Sequence, residues 1–157
     1  MNSNLNLSAL PECKFAYRMV NSALLIPCIE YQRMLRMEKV SQIAESFSEY
    51  IANEPKVSFR NGRYYVTDGQ HTIEARILRN GGKHLPILCK IYTGLTMQQE
   101  ALLFAEQNGY SAPLTAGIRL RAKVVGGDAV SEAFVEANKQ AGLVIDYTQQ
   151  AGAYRIG

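Results

Sequence analysis

The chain has no apolar stretch near the roughly 20 residues that a membrane-spanning helix needs. Its start, Met1-Asn2-Ser3-Asn4-Leu5-Asn6, lacks the basic-then-apolar pattern of a secretory leader. A cytoplasmic protein without membrane contact is therefore expected. Cysteine is scarce: Cys13, Cys28 and Cys89 are widely spaced and form no Cys-x-x-Cys pair, which supports neither a disulfide framework nor a zinc site. Free thiols are expected, with Cys28 and Cys89 as core filler in strand-like surroundings. The two histidines, His71 and His84, have no metal partner at helical or strand spacing, so no metal site is assigned. Charge of one sign is also lacking. A net charge of +3 and a pI near 8.8 permit contact with nucleic acid but fall short of a basic footprint. Most of the nine tyrosines are scattered, and no interleaving of aromatic and basic residues marks a platform for single strands.

What is present fits one globular domain with a small appendage: 157 residues, 47% hydrophobic and 20% charged. Residues 1–14 read as a loose lead-in, 15–112 as the main domain, and 113–157 as a helical segment belonging to a longer, truncated chain. Ala23 to Ile29 is a short apolar run that Pro27 confines to a sheet edge or strand end. Val40, Ile43, Ala44, Phe47 and Ile51 form one stripe of 3.6-residue period, which predicts a helix from about Met37 to Ala52. After Pro55, two strands flank Asn61-Gly62, the strongest short hairpin signal. A helix then follows Asp68-Gly69 and stops at Asn80-Gly81-Gly82, and Leu85 to Tyr92 gives another strand. This order predicts a parallel βαβ unit from Tyr64 to Tyr92. Helices are expected at 96–107, 115–125 and 128–141, with a strand-like stretch starting at Val144 that lacks a closing element.

A strand that enters Asp68-Gly69 and at once opens a helix presents backbone amides and the positive end of the helix dipole at one place. Anions bind such places, with Gly69 admitting close backbone approach and Gln70, His71 and Thr72 in the first turn. From spacing alone, Asp68 reads equally well as a plain N-cap. His71 reads as a hydrogen-bonding residue in preference to a general base. Asp68, Glu74 and Glu106 have the chemistry to hold Mg²⁺, although cap and solvated-face roles are simpler.

The run Tyr65-Val66-Thr67-Asp68-Gly69-Gln70-His71-Thr72-Ile73-Glu74-Ala75 resembles the strand–turn–helix signature of the ParB/sulfiredoxin superfamily. It is especially similar to the group named for an Asp-Gly-Gln-His-Arg turn. Ile26-Pro27 followed by Tyr31-Gln32-Arg33 resembles the family's opening segment, and Glu106-Gln107-Asn108 with Leu114 resembles its Glu-Asn motif and downstream leucine. The resemblance covers roughly residues 24–125. It implies an α/β (α+β) fold, a small mixed sheet with helices followed by a short helical segment.

It also implies a turn that holds the phosphates of CTP or ATP with Mg²⁺. The site so implied is Asp68, Gly69, Gln70, His71 and Thr72, with Arg33 reaching in and Asn108 assisting. The setting it implies is DNA-related, of the bacterial plasmid, phage or mobile-element kind. This chain departs from the pattern at Thr72, where the family has arginine, and at Ser111. Arg76, four residues on, is placed to take over the missing arginine's role. Gln70 stands where sulfiredoxins carry their cysteine, which excludes sulfinic-acid reduction at this turn. Arg119, Arg121 and Lys123 are candidates for a DNA backbone. A binding module is expected; nucleotide hydrolysis or nuclease action at the same turn, and a degenerate member serving protein contacts, are the alternatives.

Overall fold

The computed structural model describes residues 10, 12–105 and 115–147, and the backbone alone at 106 and 154–156. The described chain forms two compact units, one of residues up to 29 together with 34–96, the other of residues 30–33 and those from 97 on.

The first unit is built on a five-stranded mixed sheet. Its strands are β1 (Lys14–Asn21), β2 (Leu25–Pro27), β3 (Lys56–Arg60), β4 (Arg63–Asp68) and β5 (Pro86–Thr93), in the order β1-β5-β3-β4-β2. Asn61 and Gly62 have φ of +51° and +73°, the left-handed pair that a two-residue hairpin between β3 and β4 requires. Helix α1 (Met37–Glu45) precedes the hairpin, and α2 (Gln70–Arg79) follows it.

One face of the sheet holds the core. Along β5 the buried residues alternate, Ile87, Cys89 and Ile91, and they meet Val57, Val66, Val20 and Leu25 from the neighbouring strands. Ile73 and Ile77, one turn apart on α2, close this cluster from above. Val40 and Ala44 of α1 pack in turn on Ala75, where the absence of bulk lets the two helices approach.

Three expectations are corrected. Helix α1 ends at Glu45 and not near Ala52, because Ser46 leaves helical geometry while its hydroxyl donates to the Gln42 carbonyl at 3.0 Å. Ile51, predicted on the buried stripe, is 81% exposed. Secondly, β5 does not lie parallel beside β4: it pairs parallel with β3, since the far edge of β4 is taken by β2. Thirdly, ordered structure includes an eight-residue strand, β1, antiparallel to β5, where the sequence suggested only the beginning of order.

The second unit contains α3 (Met97–Glu106), α4 (Ala116–Val125), α5 (Ala129–Gln140) and a small antiparallel pair, β6 (Leu143–Ile145) and β7 (Tyr154–Ile156). The tail thus does close on itself, contrary to the sequence reading. Small residues let α3 and α4 approach: Ala101, Ala105 and Ala122 are fully or almost fully buried, and a Cβ on Gly126 would stand 2.5 Å from Leu102. Tyr31 is fully buried here, its hydroxyl donating to the buried Glu100 carboxylate at 3.3 Å and its ring 5.4 Å from that of Phe104. Thr115 and Asp128 cap α4 and α5 by accepting from the amides of Ile118 and Ser131.

Candidate functional site

The turn after β4 is shaped by its neighbours. Gly69 is the N-cap of α2 at φ +94°, a left-handed conformation in which other residues cost about 1–2 kcal/mol. A Cβ at this position would also stand 3.1 Å from the Cα of Pro55, so a buried proline walls the glycine in. No side chain caps the helix at its N-cap. Just upstream, a register shift between Lys56 and Val57 sets Asp68 opposite Lys56, and the Thr67 hydroxyl fixes it by donating to the Lys56 carbonyl at 3.0 Å. The first turn of α2 therefore opens at the carboxyl end of β4 with glycine, Gln70, His71 and Thr72 in sequence.

His71 is buried, and its Nε2 accepts the Arg36 backbone N–H at 3.2 Å. That bond assigns the proton of a neutral ring to Nδ1 and ties the first turn of α2 to the N-cap of α1. It supports the hydrogen-bonding role over the general base. Arg76 is committed elsewhere. Its guanidinium donates to both carboxylate oxygens of Glu49, at 2.5 and 2.6 Å, and lies 4.8 Å from the centre of the Phe47 ring. Together with Arg79, Asn80 and Leu85 these residues line a cleft of about 250 Å³.

The other candidate residues are not gathered at the turn within the first unit. Arg33 belongs to the second unit, beside the buried Tyr31 and Gln32, and Asn108 lies outside the described residues, as do Gln107, Ser111 and Leu114. On α4, Arg119 and Lys123 are one turn apart, while Arg121 projects from the opposite side, so the three do not make one basic face. Lys123 lies near the α5 cap, where Asp128 is held below the usual carboxylate range by its hydrogen bonds to Ser131, with a further contribution from the Lys123 charge. Among the described residues, no three His, Cys, Asp or Glu converge to hold a metal ion.

Cys28 and Cys89 are buried and Cys13 is exposed. Burial pushes the Cys89 thiol up to about 11, against a smaller opposing effect of Arg76, which makes it an inert core group. His84 is engaged through Nδ1 with the Ser22 hydroxyl at 3.0 Å. Sequence reasoning missed Pro55, Arg36 and Glu49, each of which acts on the region around α2 from a distant stretch of chain. Only the strand–glycine–helix junction itself carries a local signal.

No helix among the described residues is long and apolar enough to cross a membrane. No curated protein matches the chain. Several solved structures share its fold, two ParB N-domains among them. The pNOB8-like ParB N-domain aligns with a TM-score of 0.52 at 15% identity, over 87% of this chain and 53% of that one. A further form of the Pnob8-like ParB-N domain gives 0.51 and 15%, over 87% and 56%. The chain thus spans little more than half the length of these structures. At this identity the likeness concerns the fold, which is that of a ParB N-domain. The family DUF6551, known as a family of unknown function, matches over residues 26–157, and the chain belongs to it.

Proposed function

We propose that the 68–72 turn binds the phosphates of a nucleotide, CTP or ATP with Mg²⁺, in a ParB-like binding module that serves a DNA-related process of the plasmid, phage or mobile-element kind. The observation that carries this reading is Gly69. It is left-handed, pressed on Pro55, and opens a ten-residue helix with no side-chain cap, a shape in which backbone amides and the helix dipole face an incoming anion. Because Thr72 stands where the ParB/sulfiredoxin pattern has arginine, affinity rests on the backbone and the dipole. The Arg36 bond to His71 favours binding over hydrolysis.

A nucleotide that binds the folded state raises the melting temperature by mass action. Thermal-shift titration with CTP, ATP and GTP, with and without Mg²⁺, is expected to show such a rise. Thr72→Asp puts a negative charge in the first helical turn, where the dipole favours it by about 0.3–1 kcal/mol. This variant should hold or raise the intrinsic stability and abolish the nucleotide shift. Thr72→Arg should instead tighten binding by about 10- to 100-fold through a charge-assisted contact. A wild-type protein unmoved by millimolar nucleotide would refute the proposal.

A further inference from the structure

The face of the five-stranded sheet opposite the core does not follow the usual polar pattern. In the ladder, Phe15 of β1 stands opposite Tyr92 of β5, Tyr92 opposite Ser58 of β3, and Ser58 opposite Tyr65 of β4. Three aromatic residues and one serine thus form a row across four strands, about 14 Å long at the usual strand spacing. Phe15 is 50% exposed, and Tyr17 next to it on the same face is 53% exposed. The rings of Phe15 and Tyr92 are 6.1 Å apart, and those of Phe15 and Tyr17 are 6.0 Å apart edge to face.

Cations flank this row on both sides. On one side Lys90 faces Lys56, and on the other Arg60 faces Arg63. Like charges directly opposite in a sheet are destabilising, and here two such pairs border one aromatic row. The cations also sit on the rings: Lys90 Nζ is 4.2 Å from the Phe15 centroid, and the Arg60 guanidinium is 3.8 Å from that of Tyr65. Across all five strands the one carboxylate is Asp68, at the end of β4. At the middle of the row the Ser58 hydroxyl is fully buried and has no hydrogen-bond partner among the described residues.

Rings half exposed on β1 and partly exposed on β5 and β4, bounded by cations and with almost no acid, match a ligand that is flat and apolar along one line and anionic on either side of it. We propose that this face is a stacking platform for single-stranded nucleic acid, with bases on Phe15, Tyr92 and Tyr65 and phosphates against Lys90, Lys56, Arg60 and Arg63. A duplex keeps its bases stacked on one another and offers such rings nothing. A second copy of this chain would set cation against cation. The length of the row suits a short site, on the order of four nucleotides. This binding is separate from the turn at Gly69 and does not rest on it.

The test is fluorescence anisotropy with a labelled twelve-residue oligothymidine and a duplex of the same length. The single strand is expected to bind more tightly than the duplex, with strong salt dependence. Phe15→Ala should weaken single-strand binding about 5- to 100-fold with only a small drop in melting temperature, since the ring is half exposed. Lys90→Ala should lower the slope of log affinity against log salt by about 0.7, and Thr72→Asp, which removes nucleotide binding at the turn, should leave oligonucleotide affinity as it is. Absence of binding at low salt would overturn the proposal. So would equal affinity for strand and duplex with no effect of Phe15→Ala, or loss of oligonucleotide binding in Thr72→Asp. Self-association in sedimentation velocity that Phe15→Ala abolishes would assign the face to a second copy instead.

Discussion

The two faces of the first unit's sheet use the same strands and obey different rules. On the core face, Val57, Val66, Ile87, Cys89 and Ile91 are buried nearly completely beneath α2. On the open face, Phe15, Tyr17 and Met19 of β1 are half or more exposed, beside Lys90 and Arg60. Strand periodicity of two explains how one segment serves both. The contrast shows that apolar content in a strand does not by itself locate the core: in β1 most of it points away.

The contrast can be broken most forcefully at Ile87, which is 1% exposed. Ile87→Ala should cost about 2–5 kcal/mol, whereas Met19→Ala, at 62% exposure, should stay within about 0.5 kcal/mol. Urea midpoints at constant m-value would measure both. Equal costs would mean that the open face is packed. At the junction where β4 meets α2, Gly69→Ala should cost about 1–2 kcal/mol from its left-handed backbone alone, and more if Pro55 cannot yield.

The core face also makes a prediction in pH. The folded Cys89 pKa is raised from 9.0 to about 11, so between these values the unfolded chain holds fewer protons than the native one and stability falls as pH rises. The loss should amount to about 1–2 kcal/mol, seen as a falling midpoint from pH 9 to 11. Below pH 9, exposed Cys13 should react with a thiol reagent while Cys89 does not. A gain in stability is expected at the middle of the aromatic row. Ser58→Ala removes a buried hydroxyl without a partner among the described residues and should stabilise the free protein by about 1 kcal/mol.

Local signals in the sequence located much of this fold. Asn61-Gly62 marked the hairpin, Gly81-Gly82 the end of α2, and Thr115 and Asp128 the starts of α4 and α5, because each acts on its immediate neighbours. What could not be read there depends on distant partners. The stripe through Phe47 and Ile51 kept its helical period, but Phe47 is engaged by Arg76 and Arg79 outside any helix. The pairing of β5 with β3 depends on β2 having taken the edge of β4. At the turn, the glycine was visible, and the proline 14 positions earlier that presses on it was not. The aromatic row was invisible for a similar reason: its residues come from three strands, and only the ladder sets 15, 92 and 65 in line. Three of the nine tyrosines, Tyr17, Tyr65 and Tyr92, thus share one face although they are scattered along the sequence.

As the end strand of its sheet, β1 pairs with β5 on one side and, among the described residues, with no strand on the other. Such a margin is a template on which a foreign strand can add, and proteins commonly discourage this with charge. Lys14 and Arg18 stand along β1, both exposed. Neutralising the pair should therefore leave the monomer's stability nearly intact and shorten the lag before it aggregates, making these two cations guardians of solubility.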